Sequence, residues 1–249
     1  LLRSRPLETL PELDVAQPHG NIPNTPLAIS TISFLLGSTF ALGLLAFFEG
    51  GSSFGSFWFS TYQLGFFLAS WSAFHWGEFA VTAGWNRQKV SIDSFLLNNG
   101  RMYHMANSLA LTEYLLILYF RPSLKSFPYV SFLGVIMVIL GQFLRSAAMI
   151  KAASNFSHAV AFRKINGHQL VIDGVYAWSR HPSYAGFFYW ALGTQLVLQN
   201  PLSFSIYLAL LMRFFSSRIK AEERALISFF GDDYASYRKR VGTKIPFIP

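Results

Sequence analysis

Six long apolar runs separated by polar segments define the pattern of this chain. They cover residues 27–49, 56–84, 103–121, 127–151, 184–199 and 202–217. A membrane-spanning helix needs about 20 apolar residues, within a range of about 17–25. The first four runs reach that length. The last two are short and are separated by Asn200-Pro201, so they predict a tight hairpin of brief or tilted spans. The pattern predicts an all-α polytopic membrane protein with about six visible transmembrane helices.

The polar segments divide the chain into three parts. Residues 1–26 are polar and rich in proline, and no basic start leads there into a short apolar core. We therefore expect an irregular N-terminal arm in place of a signal peptide. Residues 27–151 hold the first four spans and a polar loop at 85–101. Residues 152–249 hold a loop, the hairpin and a charged helix, and we expect them to form the catalytic core.

Composition and charge support the membrane interpretation. Hydrophobic residues make up 52% of the chain and charged residues 13%, which is far from a soluble domain. The net charge is +8, and the Lys and Arg residues lie mostly between the apolar runs. This distribution favours a membrane protein over a nucleic-acid-binding protein. Lys and Arg concentrate in the loops after the second, fourth and sixth runs, which we expect on the cytosolic side. The chain has no cysteine and its histidines lack ligand spacing, so no metal site is expected.

Arg145 is a strongly basic residue inside the long fourth run. A charged group in hydrocarbon is costly, so it faces protein or a polar cavity and often marks function. Gln142 lies on the same helical face, three residues earlier. Two interpretations stay open: the guanidinium binds a substrate carboxylate, or it pairs with a structural partner such as Glu78.

Two polar blocks flank the predicted hairpin. Before it, Arg180-His181-Pro182 combines ionisable side chains with a proline that suits the first turn of a helix. The free N–H groups of such a helix start can bind a carboxylate or phosphate. After the hairpin, Glu222 and Glu223 either accept hydrogen bonds from hydroxyl or amine groups or form a solvated charged face. We expect the two blocks to form the walls of one cytosolic site.

Several motifs together resemble isoprenylcysteine carboxyl methyltransferases. The C-terminal motifs are GVYAWSRHPSY at 174–184, GTQ with NP at 193–201, and EE, FG and two tyrosines within 222–237. Four upstream motifs resemble the eukaryotic members in particular: FHWGEF at 74–79, DSFLLN at 93–98, RSAAM at 145–149 and SNFSH at 154–158. The resemblance covers roughly residues 56–249. Eukaryotic members have eight spans, so we expect that a first hairpin is missing from this chain.

The resemblance implies a membrane-embedded enzyme of the endoplasmic reticulum with its active site facing the cytosol. It would transfer a methyl group from S-adenosylmethionine to the C-terminal carboxylate of farnesylated or geranylgeranylated CaaX proteins, such as small GTPases. That carboxylate is already ionised at neutral pH, so no general base is needed. Two alternatives stay open: a methyltransferase acting on phospholipid or another lipid amine, and a non-enzymatic lipid-binding membrane protein. A sterol reductase is disfavoured.

The resemblance also implies site residues. Arg145 and Glu222 are the expected catalytic residues, with Arg145 on the substrate carboxylate. The expected cofactor-binding residues are His168, Leu170, Val171, Gly174, Tyr176, Arg180, His181, Tyr184, Glu222 and Glu223. A lipid slot between the spans could be lined by Met137, Met149, Phe187, Phe188 and Trp190, although ordinary helix packing is the better explanation for any single one of them.

Overall fold

The computed structural model describes residues 22–49, 58–160 and 167–249, and the long regular elements in these ranges are helices. In chain order the α-helices are α1 (Pro26–Glu49), α2 (Tyr62–Trp85), α3 (Arg101–Phe120), α4 (Pro128–Ala152), the single-turn α5 (Val175–Trp178), α6 (Pro182–Val197) and α7 (Pro201–Arg240). Each predicted apolar run corresponds to one long helix, so the all-α prediction is confirmed. Residues 1–21 of the predicted arm lie outside the described residues.

Three of the described helices are long and apolar enough to cross a membrane by length and composition. They are Pro26–Glu49, Pro128–Asn155 and Pro201–Arg240. The first arm of the predicted hairpin, α6, has 16 residues, which is below the length of an untilted span. The count of six spans therefore stays a prediction.

The second arm of the hairpin is much longer than its apolar run. The prediction ended the span at residue 217 and placed a separate charged helix after it, whereas α7 is one helix that continues to Arg240. Residues 218–230 are amphipathic and contain two residues each of Ala, Glu and Arg, which favour a helix in water as well as in lipid. Gly231 has a φ of 54°, a left-handed conformation that interrupts the helix before its last turns. As a result, Glu222 and Glu223 lie on the same rigid helix as the apolar second arm.

Glycines allow α4 and α6 to pack in direct backbone contact. A Cβ on Gly141 would lie 2.6 Å from the Gly186 carbonyl oxygen, and a Cβ on Gly134 would lie 2.7 Å from that of Gly193. Small residues at such crossings let helices approach closely in a membrane. The close approach places Arg145 of α4 against the N-terminal part of α6. A Cβ on Gly186 would lie 2.8 Å from the backbone nitrogen of Arg145.

Polar side chains fix the turn between α6 and α7. Lys125 donates hydrogen bonds to two carbonyl groups at the end of α6, at 2.8 and 2.9 Å, and to Asn200 Oδ1 at 2.7 Å. Glu113 of α3 accepts from the Leu202 and Ser203 N–H groups at 2.9 and 2.6 Å. These contacts satisfy the free backbone groups at both helix ends, and they hold the hairpin in place at the end remote from Glu222.

Candidate active site

The larger of two neighbouring cavities has a volume of about 700 Å³ and lies among α3, α6 and α7. Aromatic and aliphatic side chains such as Trp190 and Leu211 form most of its wall. Ionisable side chains in the wall include Arg145, His158 and Arg218. The cavity can therefore hold a long apolar group with a charged end.

The smaller cavity has a volume of about 110 Å³ and is formed by the residues before α6 and the second half of α7. Its wall contains histidine, tyrosine and carboxylate side chains beside Leu170 and Val171. Four residues line both cavities: Phe156, Ser157, Ser183 and Tyr184. The two cavities therefore meet at one shared wall.

Arg145 lies beside this shared wall and pairs with Glu78 of α2. Its Nε donates to Glu78 Oε1 at 2.5 Å and its Nη2 to Glu78 Oε2 at 2.8 Å. The remaining nitrogen, Nη1, donates to the Ser183 hydroxyl oxygen at 3.1 Å and to the Ser183 carbonyl oxygen at 3.4 Å. His158 Nδ1 lies 3.7 Å from the same carboxylate. The pairing with Glu78, one of the two interpretations open from the sequence, is thus present, and Nη1 is the part of the guanidinium nearest the shared wall.

Tyr184 links the two cavities through hydrogen bonds. Its hydroxyl group donates to Glu222 Oε2 and accepts from Arg218 Nε at 2.8 Å. Arg218 Nη2 also donates to the His158 carbonyl oxygen. The Tyr184 ring stacks in parallel on His181, with 5.4 Å between centroids. These contacts hold the tyrosine rigidly between the two cavities.

Glu223 has hydrogen bonds with Arg180 and His181, which precede α6, and an ion pair with Arg238 of α7. Arg180 Nε lies 2.5 Å from its Oε1, Arg238 Nε 3.1 Å from its Oε2, and His181 Nε2 3.4 Å from its Oε1. Burial alone would raise the pKa of Glu223, but hydrogen bonds from His181 and Arg180 outweigh burial and lower that pKa. Arg180 also donates to the Val241 carbonyl oxygen at 2.8 Å. This cluster fixes the C-terminal segment against the start of α6.

Known proteins resemble this chain along most of its length. Residues 134–228 match the sequence model of the family described as "Isoprenylcysteine carboxyl methyltransferase (ICMT) family". Protein-S-isoprenylcysteine O-methyltransferase of Saccharomyces cerevisiae is 49% identical over 188 residues, covering 73% of this chain and 79% of the yeast protein. The chain belongs to the isoprenylcysteine carboxyl methyltransferase family. The Homo sapiens protein of the same name is 45% identical over 213 residues, covering 86% of this chain and 72% of the human protein.

A solved structure of the family shares the fold. It is described as the structure of the eukaryotic intramembrane Ras methyltransferase ICMT without a monobody. Its TM-score is 0.83 at 39% identity, and the match covers 89% of this chain and 77% of that chain. The sequence-based expectations of a multi-pass membrane fold and of a methyltransferase are confirmed by these similarities.

Most residues expected to bind the cofactor lie around the smaller cavity of this methyltransferase. Its wall includes His168, Leu170, Val171, Tyr176, Arg180, His181, Tyr184 and Glu222. Two expected residues are outside that wall: Gly174, which forms the turn before α5 with a φ of 59°, and Glu223. Of the five residues suggested for a lipid slot, Phe187 and Trp190 line the larger cavity, whereas Met137, Met149 and Phe188 do not.

The expected site residues did not include Ser183, Arg218 or Tyr234, although Arg218 begins the polar block that contains Glu222 and was expected to form a wall of the site. Arg218 carried a usable signal, because its spacing of four residues from Glu222 places both side chains on one face of a helix. Ser183 and Tyr234 belong to the motifs that carry the family resemblance, but their positions in the cavity wall depend on long-range packing.

The chemistry of the smaller cavity fits a nucleoside-containing methyl donor. The Tyr234 hydroxyl is buried and has no hydrogen-bond partner among the described residues, although its side chain lies in the cavity wall. Burial raises the pKa of Tyr234, so the hydroxyl keeps its proton and can donate it. Leu170 and Val171 provide apolar surface, and Glu222 provides an acceptor. This set of groups suits a flat base attached to a hydroxylated sugar.

Proposed function

We propose that this protein transfers a methyl group from S-adenosylmethionine to the C-terminal carboxylate of a prenylcysteine, which yields a methyl ester. The observation that carries the proposal is the shared wall between a large apolar cavity and a small polar one. A volume of about 700 Å³ lies within the range of small-molecule pockets and suits an isoprenoid chain. The names of the similar yeast and human proteins support the same acceptor.

The smaller cavity is the proposed cofactor site. When bound, S-adenosylmethionine supplies an electrophilic methyl group on a positively charged sulfur. Leu170 and Val171 would contact its adenine, Glu222 would accept hydrogen bonds from its ribose, and Tyr234 would donate to a polar edge. His168 lies edge-on to the Phe229 and Phe230 rings, which closes the same side of the cavity.

The protein groups orient the acceptor and exclude water. A terminal carboxylate has a pKa of about 3.3–3.7, so it reaches the site as a nucleophile and requires no base. Arg145 offers Nη1 beside Ser183 for one carboxylate oxygen. Tyr184, held by Glu222 and Arg218, keeps the shared wall in place. Alignment of two bound reactants can supply about 7–11 kcal/mol of a reaction barrier.

The proposed acceptors are farnesylated or geranylgeranylated CaaX proteins in the endoplasmic reticulum membrane. Because Lys and Arg are concentrated in the loops after the second, fourth and sixth apolar runs, we place the mouth of the smaller cavity on the cytosolic side and that of the larger cavity between the spans. In this arrangement a water-soluble cofactor reaches the smaller cavity from the cytosol. The lipid chain reaches the larger cavity from the bilayer.

The test is methyl transfer by the purified protein in vesicles with labelled S-adenosylmethionine. N-acetyl-S-farnesylcysteine should accept label, whereas N-acetylcysteine, which lacks the chain, should not. Phosphatidylethanolamine serves as the alternative acceptor. Label transferred to phosphatidylethanolamine and not to the farnesylated compound would contradict the proposal and support the lipid-amine alternative.

A further inference from the structure

Residues 241–249, which follow α7, form a turn that folds back along α6. Before α6, the Ser179 hydroxyl donates to the Thr243 carbonyl oxygen at 2.7 Å. Within α6, the Tyr189 hydroxyl donates to the Lys244 carbonyl oxygen at 2.8 Å. The 241–249 turn is therefore fixed both to the residues that precede α6 and to the helix itself.

The 241–249 turn extends to the apolar part of α6. Tyr189 lies seven residues after Pro182, the first residue of α6, which corresponds to about 10 Å along the helix axis. The Ile245 and Ile248 side chains are buried and belong to the apolar core that contains residues of α6 and α7. The turn therefore returns from the polar end of α7 to the level at which both helices are apolar.

Phe247 lies at the tip of the turn, between these two isoleucines. It is 96% exposed, and its φ of 59° is a left-handed conformation that is unusual for a bulky residue. An aromatic ring held in water in this way forgoes the free energy of burial. In lipid, at the level of the apolar part of α6, the ring gains that free energy. The position and exposure of Phe247 therefore favour contact with the bilayer.

Exposed cations lie at the end of α7 and in the turn: Lys239, Arg240 and Lys244. Within the part of the chain that the structure describes, none of them has a carboxylate oxygen within 4.0 Å. The dipole of α7 accounts for basic residues in its last turn, but Lys244 lies beyond that helix. Lys244 Nζ lies 5.8 Å from the ring centroid of Trp178, which is 51% exposed. Tryptophan beside basic residues is typical of a membrane–water interface.

We propose that the 241–249 turn is a membrane anchor that binds anionic phospholipid. Phe247 inserts among the lipid chains, and the three cations bind the anionic groups of the headgroups. Lys and Arg clustered at the border of a membrane segment attract anionic lipids, because the leaflet surface is negatively charged. Apolar insertion and headgroup attraction together give a stable contact where either alone is weak. This inference goes beyond methyl transfer and does not depend on it.

The first test locates the tip of the turn relative to the bilayer. The sequence contains no cysteine, so one position at a time can carry a thiol-reactive fluorophore. Phe247→Cys labels the tip, and Asp233→Cys is the control, because Asp233 is charged and exposed on α7. The full chain is placed in phosphatidylcholine vesicles that contain phosphatidylserine. Doxyl groups near the headgroup end of the lipid chains should quench the label at 247 several-fold more than the label at 233, and iodide in the water on both sides should give the reverse order.

Two results would overturn the insertion of Phe247. Equal quenching of the two labels by iodide would place position 247 in water. Protection of position 247 from both iodide and doxyl lipid would show that a protein surface, such as a second copy of this chain, covers the tip.

The second test measures the preference for anionic lipid. The label at 247 is quenched by doxyl-phosphatidylserine and by doxyl-phosphatidylcholine at equal mole fractions, and the ratio of the two effects gives the preference. Each basic residue near an anionic surface contributes about fivefold. The combined variant Lys239→Gln, Arg240→Gln and Lys244→Gln should therefore lose most of the preference for phosphatidylserine.

Lys220→Gln combined with Arg224→Gln is the matched control, because both residues are exposed on α7 before Gly231. This control should keep the preference of the parent protein, since its charges lie outside the proposed anchor. A triple variant that keeps the preference of the parent protein, at an unchanged melting temperature, would overturn the binding of anionic lipid by the turn.

Discussion

Arg145 of α4 binds Glu78 of α2 through two parallel hydrogen bonds, at 2.5 and 2.8 Å, beside the wall of the larger cavity. Both side chains are buried. The contact ties the helix pair α4–α6 to α2, and it fixes which edge of the guanidinium points to Ser183. Substitutions of Arg145 or Glu78 are therefore expected to lower the stability of the protein first.

The first prediction follows from that pair. Glu78→Gln leaves a buried guanidinium without a counter-charge and should destabilise the protein by about 3–5 kcal/mol. Arg145→Met combined with Glu78→Gln should cost less than the sum of the two single changes, because the double variant removes both charges. Unfolding in detergent, followed for all four proteins, gives the coupling energy. Strictly additive losses would show that the pair does not interact.

The second prediction concerns the α4–α6 crossing. Gly141→Ala places a Cβ 2.6 Å from the Gly186 carbonyl oxygen, so the helices must separate. Overpacking of this kind costs about 1–3 kcal/mol. Gly37→Ala in α1 is the control, since a Cβ there meets nothing within 4 Å. The melting temperature of Gly141→Ala should lie below that of Gly37→Ala. Equal melting temperatures would mean that the close approach of α4 and α6 is not needed for stability.

The third prediction separates two neighbouring carboxylates. Glu222 lines the smaller cavity, whereas Glu223 is buried outside its wall among Arg180, His181 and Arg238. Glu222→Gln should weaken S-adenosylmethionine binding about tenfold at near-normal stability, which is the expected size for a hydrogen bond to a charged group. Glu223→Gln should lower the melting temperature instead. Calorimetric titration and thermal unfolding of both variants would reveal the opposite pattern if the assignments were reversed.

The fourth prediction is a pH dependence at the α6–α7 turn. Burial lowers the pKa of Lys125 from 10.5 to about 8, although Glu113 opposes the shift. Between about pH 8 and 10.5 the unfolded chain therefore binds more protons at this residue than the folded chain does. Stability from Lys125 should rise with pH across that window. The difference in unfolding free energy between wild type and Lys125→Met isolates the effect, and a flat or falling difference would refute it.

The helices could be predicted from hydrophobic runs, but the end of α7 could not. The sixth apolar run ends near residue 217 because charged residues follow it. Hydropathy therefore indicates where contact with lipid ends, and not where the helix ends. The helix continues because those residues favour helix in any solvent. Gly231 was expected to end the helix, because glycine tolerates a positive φ; the structure shows a break there, after which α7 continues to Arg240.

The candidate site could be predicted in part for a similar reason. Motifs around Arg180 and Glu222 indicated one site, and the structure brings both residues into the wall of the smaller cavity. The sequence offered Glu78 as one of two partners for Arg145, 67 residues away, but could not choose between them. It gave no indication that Arg218 contacts Tyr184 across 34 residues. Such choices depend on helix packing that a single sequence does not reveal.

The chemical stability of the methylated product distinguishes esterification of a prenylcysteine carboxylate from methylation of a lipid amine. The proposed reaction forms a carboxyl methyl ester, which base hydrolyses to volatile methanol, whereas a methylated lipid amine keeps its methyl group in base. Purified protein should be given labelled S-adenosylmethionine with N-acetyl-S-farnesylcysteine and phosphatidylethanolamine present together. Nearly all transferred label should become volatile after base treatment. Label that stays in a base-stable lipid product would contradict the proposed reaction.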